Sequence, residues 1–183
     1  MSKGYSGYFN GTSGANTLDE DSVVGNSSKI SKSEKTYSAT ASLMNHIENP
    51  EPTTSGKSGI KGAHHKENFL AAVNKVGAKA TGSVPNSQIN GVERISYQMP
   101  KRDRYGKPTN EYQQKVHHKT VYDASKISTK QYISRGLQAA NQAVKNSAGG
   151  KLSREWTGKD NHGVLWRGYC DSNGNITSFY PED

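Results

Sequence analysis

Apolar positions recur at several spacings along this 183-residue chain, and each spacing predicts an element. From Lys66 to Val76, residues Phe69, Leu70, Ala72, Val73 and Val76 form a helical stripe that stops at Gly77. From Val92 to Met99 the pattern alternates, with Ile95, Tyr97 and Met99 on one face, and Pro100 ends the run as a strand would end. After a charged turn over Lys101–Pro108, Tyr112 to Tyr122 reads as a second strand, antiparallel to the first. Ser128 with Gln131 makes a capping-box start. Tyr132, Ile133, Leu137, Ala140 and Val144 then mark a helix ending at Gly149-Gly150. A last alternating run, Val164–Cys170, leads through Asp171-Ser172-Asn173-Gly174 into Asn175–Pro181. Asn-Gly between two alternating runs predicts a β-hairpin. In its final strand Ile176, Ser178 and Tyr180 would share one face, with Thr177 and Phe179 on the other. The order of elements points to an α+β fold: N-terminal helices, then antiparallel sheets, closing in a C-terminal β-hairpin.

Composition divides the chain. Residues 1–40 are rich in Gly and Ser and hold no sustained period, so they read as a flexible lead-in or linker before a domain spanning 41–183. Glu51–Gly59 reads as an exposed loop. Apolar residues make up only 31% of the chain, below the ordinary globular share of ~45–50%. No run of 18 apolar residues and no signal-peptide core occurs, so neither a membrane span nor an encoded secretion signal is expected. A single cysteine, Cys170, excludes an internal disulfide and a cysteine-based zinc site.

Charge is unevenly placed. Up to residue 38 the acids and bases cancel, whereas residues 57–135 carry fifteen Lys or Arg against five acids. A basic surplus confined to the middle of a domain suggests a polyanionic partner: nucleic acid, anionic lipid or an acidic protein.

Six histidines are the candidate chemistry: His46, His64, His65, His117, His118 and His162. Adjacent histidines on a strand point to opposite faces, and no His-x-x-x-His spacing occurs, so the pattern argues against a metal site. Acid–base work suits them better, since two imidazoles can serve one reaction as base and acid. A lysine can stabilise charge growing on a phosphoryl oxygen. Such a trio suffices to cleave RNA, which carries its own nucleophile in the 2′-hydroxyl, and it needs neither metal nor cofactor.

Four segments resemble a known family. Asn45-His46-Ile47 and Gly62-Ala63-His64 are similar to the two histidine motifs of EndoU-type endoribonucleases. Lys119-Thr120-Val121-Tyr122 resembles their lysine segment, and Thr177-Ser178-Phe179-Tyr180-Pro181 their closing motif. The order is kept, and the resemblance spans about residues 43–183. It implies catalytic roles for His46, His64, Lys119 and Tyr180, nucleotide contacts from Ser178 and Thr177, and cleavage that leaves a 2′,3′-cyclic phosphate. Lys101 stands as a rival lysine, and His65 as a rival to His64. The likeness is nearest to the bacterial toxin branch, in which such domains form the C-terminal tip of large secreted or contact-dependent effectors. That implies action in the cytoplasm of a target cell on RNA, with tRNA among the candidates. It also implies a cognate immunity protein, expected to be acidic, and a monomer apart from that inhibitor. A non-catalytic RNA-binding module would use the same basic surplus, with Tyr97, Tyr105, Tyr112 and Tyr122 as stacking platforms. A membrane-active tip fits less well, because no basic amphipathic helix of adequate apolar width is visible.

Overall fold

A computed structural model of the protein describes residues 36–52 and 56–183. The expected lead-in therefore lies, up to residue 35, outside the described residues. Its last part is fastened: the Tyr37 amide donates to Asn141 Oδ1 at 2.7 Å, and Asn141 Nδ2 donates back to the Tyr37 carbonyl at 3.3 Å.

Helix α1 (Ala41–Glu48) is followed by α2 (Lys66–Val76), β1 (Lys79–Pro85), β2 (Val92–Arg102) and β3 (Pro108–Tyr122). Helix α3 (Thr129–Lys145) and strands β4 (Glu155–Lys159), β5 (Leu165–Cys170) and β6 (Ile176–Pro181) complete the chain. Strands β1-β2-β3 form one antiparallel sheet and β4-β5-β6 another, so the fold is α+β.

The helices begin and end for local reasons. Thr40 accepts the Leu43 amide at 3.1 Å and starts α1, which buries Leu43 and Ile47 one turn apart. Gly77, at φ 75°, takes the left-handed turn that ends α2. The Ser128–Gln131 capping box is formed in both directions. Helix α3 stops at Lys145, short of the expected Gly149-Gly150, because Ser147 bonds the Val144 carbonyl through both its amide and its hydroxyl.

Two strands outrun expectation. Strand β2 continues through Pro100, where register shifts on either side absorb a residue that cannot donate to the ladder. Strand β3 starts at Pro108 rather than Tyr112, so the charged turn is shorter than the sequence suggested.

The terminal hairpin forms around Gly174 (φ 79°), and the Asp171 carboxylate accepts the Asn173 and Asn175 amides, each at 2.9 Å. One feature of it corrects the expected face assignment. Tyr169 pairs with Ser178 but Cys170 pairs with Ile176, so Thr177 is an extra residue in a bulge. The bulge flips the alternation. Ile176 therefore joins Phe179 in the core instead of sharing a face with Ser178 and Tyr180.

Two apolar clusters hold the fold. One surrounds α3 and the second sheet, with Tyr132, Trp156, Trp166 and Phe179 at its centre. The other packs Phe69 and Val73 of α2 against Ile95, Tyr97, Met99 and Val121 of the first sheet. Buried Asp160 fastens α3 to β5 by accepting Arg135 Nε at 2.8 Å and Trp166 Nε1 at 2.9 Å.

Candidate active site

The end of α1, the Gly62-Ala63-His64 segment, β3 and β6 meet in one cleft of about 940 Å³. Their meeting is dictated by backbone chemistry. The last carbonyls of a helix lack intrahelical donors, and here the amides of the next segment supply them. Ala63 N donates to His46 O and Asn49 O, both at 3.0 Å, and His64 N donates to Ile47 O at 2.7 Å. This close approach requires glycine at position 62. A Cβ there would lie 2.5 Å from Asn49 O and 2.8 Å from His46 O, and φ is 67°. Ala63 follows at φ 56°, a left-handed conformation that costs a residue with a Cβ about 1–2 kcal/mol. The strained pair turns the chain so that the His64 carbonyl accepts the Tyr122 amide of β3 at 2.8 Å. His64 is thereby pinned between α1 and β3.

The His64 ring is buried, and its Nδ1–H donates to the Thr120 carbonyl at 2.8 Å. The remaining nitrogen, Nε2, is therefore the unprotonated one, and it faces Ser178 Oγ at 3.3 Å. Burial, then the nearby Lys119 amine, hold its pKa well below the ordinary 6.5, so the ring is neutral at pH 7. The His46 ring lies 6.0 Å from it, centroid to centroid. Glu51 Oε1 sits 2.5 Å from His46 Nδ1 and fixes that ring, leaving its Nε2 free.

Lys119 enters from β3 and donates to the Gly62 carbonyl at 2.9 Å. Burial lowers its pKa from 10.5 to about 8, against a smaller opposing pull from Glu51. The amine is thus still mostly charged at pH 7, and poorly solvated.

On the opposite wall, the bulge at Thr177 turns Ser178 and Tyr180 into the cleft beside Tyr169. The Tyr169 and Tyr180 rings lie 6.5 Å apart. Burial, then a hydrogen bond with Tyr169, push the Tyr180 hydroxyl well above its usual range. Tyr180 is therefore a neutral donor and ring surface rather than an acid–base group.

The structure thus brings His46, His64, Lys119, Ser178 and Tyr180 together. Thr177 is exposed, bonds the Tyr169 carbonyl at 3.3 Å and does not line the cleft. The rivals lie elsewhere or do other work. Lys101 pairs with Glu111 at 3.1 Å near the far end of β2. His65 caps α2, with its ring edge-on to Tyr122. His117 stacks on Tyr97, and His162 is exposed on the turn before β5. His118 lines the far wall of the cleft with Nδ1 3.0 Å from Ser96 Oγ.

Sequence reasoning missed Tyr169, which lines the cleft, and Glu51, which reaches His46 from outside that lining. Glu51 sits in a loop with no pattern around it. Tyr169 comes to lie beside Ser178 only through the bulge at Thr177. Among the described residues, no three His, Cys, Asp or Glu side chains converge as a metal ligand set.

Fold and site together define an α+β protein whose cleft gathers His46, His64 and Lys119 beneath a tyrosine-bearing hairpin. No family model matches the chain. It is similar to the protein named tRNA nuclease CdiA of Yersinia mollaretii, 30% identical over 126 residues, or 68% of this chain and 4% of that protein. It is also similar to the tRNA nuclease CdiA of Escherichia coli (strain STEC_O31), 30% identical over 132 residues, 70% of this chain and 4% of that protein. The chain therefore spans about one twenty-fifth of the length of the curated relatives it matches.

Proposed function

We propose that this chain is the nuclease domain of a toxin that cleaves tRNA by internal transesterification. The observation that carries the reading is the convergence of two imidazoles 6.0 Å apart with a poorly solvated lysine on one cleft wall. The names of the two relatives support the substrate, and the EndoU-type order of His46, His64, Lys119 and Ser178-x-Tyr180 supports the reaction.

Each group has a step. His64 Nε2, a bare lone pair on a neutral ring, takes the proton of the 2′-hydroxyl as that oxygen attacks the adjacent phosphorus. His46 Nε2 gives a proton to the departing 5′-oxygen while Glu51 holds its Nδ1. Lys119 offsets the charge that grows on the phosphoryl oxygens, more strongly than in water because the amine is desolvated. Tyr180 supplies a ring for the base or sugar, and Ser178 a hydrogen bond to the nucleotide. Thr177 contributes through the bulge that aims both. No step calls for a metal or cofactor.

The wider setting belongs to the same proposal. Residues 41–183 form the toxin domain at the C-terminal tip of a larger secreted or contact-dependent effector. It acts in a target cell's cytoplasm and is monomeric apart from an acidic immunity protein. Among the described residues no helix is long and apolar enough to cross a membrane.

The competing reading is a basic RNA-binding module without chemistry. His64→Ala separates the two. The nuclease reading expects turnover of tRNA to fall by about two to four decades with affinity for tRNA nearly kept. A wild-type protein that binds tRNA without cutting it would favour the binding module.

A further inference from the structure

The hairpin that joins β2 to β3 is longer and more ordered than its sequence foretold, and its tip is basic. Residues 101–107 hold Lys101, Arg102, Arg104 and Lys107 against the single acid Asp103, all exposed. Lys101 is paired with Glu111, and Arg102 donates to the Gly106 carbonyl at 2.6 Å. The Asp103 carboxylate accepts the amides of Tyr105 and Lys107, both at 2.9 Å, and Asp103 N donates to Lys107 O at 2.9 Å. The turn is therefore preorganised. It holds out Arg104 and Lys107, neither of which has an ion pair among the described residues. Tyr105 is 72% exposed, and the Arg104 guanidinium lies over its ring, 4.7 Å from ring centre to Cζ.

Folding does not explain this tip. Residues 101–107 are all exposed, and an exposed tyrosine under an arginine with no ion pair among the described residues buries little. Its position is informative. Ile95, on the same strand, pairs with Lys119, and eight residues separate it from Asp103. At about 3.3 Å per residue the tip stands roughly 26 Å from Lys119, most of one turn of a nucleic-acid duplex. A short RNA held at the cleft would never reach it.

The geometry points to a second RNA contact: the tip, through Arg104, Lys107 and the Tyr105 ring, grips the phosphate backbone of the duplex stem that flanks the cut site. Charge complementarity favours phosphate, and the fixed offset favours a stiff stem over a flexible single strand. This rests on the ribonuclease reading. It adds that the enzyme measures a folded RNA, so that efficiency on tRNA exceeds that on the cut sequence alone.

The test compares Arg104→Glu/Lys107→Glu with wild type on unfractionated tRNA and on a tetranucleotide carrying the mapped cut site. Because both side chains are exposed, the melting temperature should not move. The expected result is a loss of about 10–100-fold in kcat/KM on tRNA and a salt dependence shallower by about two on logarithmic axes. The tetranucleotide should be cut as before. Tyr105→Ala should give a smaller loss confined to tRNA. Equal losses on both substrates, or none on tRNA, would overturn the proposal. So would a variant that cuts tRNA normally but no longer binds its inhibitor, since the tip would then be a protein contact. If wild type cuts neither substrate, the ribonuclease reading itself fails.

Discussion

Replacing Lys119 by Met should stabilise the protein at neutral pH while disabling it. The fall of the Lys119 pKa from 10.5 to about 8 means that the fold disfavours the charged amine by roughly 3 kcal/mol at 1.36 kcal/mol per pKa step. The side chain keeps some solvent contact, which brings the figure to about 2 kcal/mol. Methionine removes that penalty but leaves the Gly62 carbonyl without its donor, a loss of about 1 kcal/mol. The net gain is ~1 kcal/mol, or about 2–4 °C in a chain of this size. The sign depends on pH. Between about 8 and 10.5 the unfolded chain still holds the lysine proton that the fold has released, so wild-type stability rises with pH across that window. The variant lacks this rise. It should melt above wild type at pH 7 and about 2–4 °C below it past pH 10.5, where only the lost hydrogen bond remains. Thermal melts across pH 6–11, beside tRNA cleavage assays showing a loss of about two to four decades, would check both halves. A variant less stable at pH 7, by an amount that does not change with pH, would refute the reasoning and make Lys119 a structural tie.

The pH profile of kcat/KM should be bell-shaped. Its acid limb should fall below pH 6.5, because His64 must be neutral and its pKa is depressed, and its alkaline limb should lie no higher than about pH 8, where Lys119 loses its charge; an acid midpoint above 6.5 would contradict the assignment of His64 as base. Tyr180→Ala should reduce kcat/KM by about one to two decades, the scale of one stacking contact, and Tyr180→Phe should be milder if the ring carries the effect. Phe179→Ala should cost ~3–5 kcal/mol of stability in denaturant melts. Gly136→Ala should also destabilise, because its Cβ would sit 2.2 Å from the same ring.

What the sequence revealed depended on whether the signal was local. Helices α2 and α3 could be read because their apolar stripes, the Gly77 stop of α2 and the capping box of α3 are local signals, and the Asn-Gly turn marked the terminal hairpin in the same way. Strand β1 could not, because it is an edge strand exposed along its whole length and carries no apolar alternation. Strand β4 alternates, but one of its two inward positions is Gly158, where a Cβ would come 2.0 Å from the Ala139 carbonyl. Close packing there demanded the residue that hides the pattern. The site followed the same logic. His64 and Lys119 stood out by residue type and surroundings. Glu51 reaches His46 from a loop without pattern. The bulge that separates Thr177 from Ser178 is a property of strand pairing, and no single strand encodes it.

The chemistry of the cut ends tests the central claim most directly. Purified protein should be incubated with tRNA in excess chelator, and both new termini should be mapped. Two imidazoles and a lysine acting on the 2′-hydroxyl predict a 2′,3′-cyclic phosphate and a 5′-hydroxyl, formed at a rate the chelator does not change and lost in His64→Ala. Ends bearing a 5′-phosphate, or cleavage abolished by the chelator, would contradict the account.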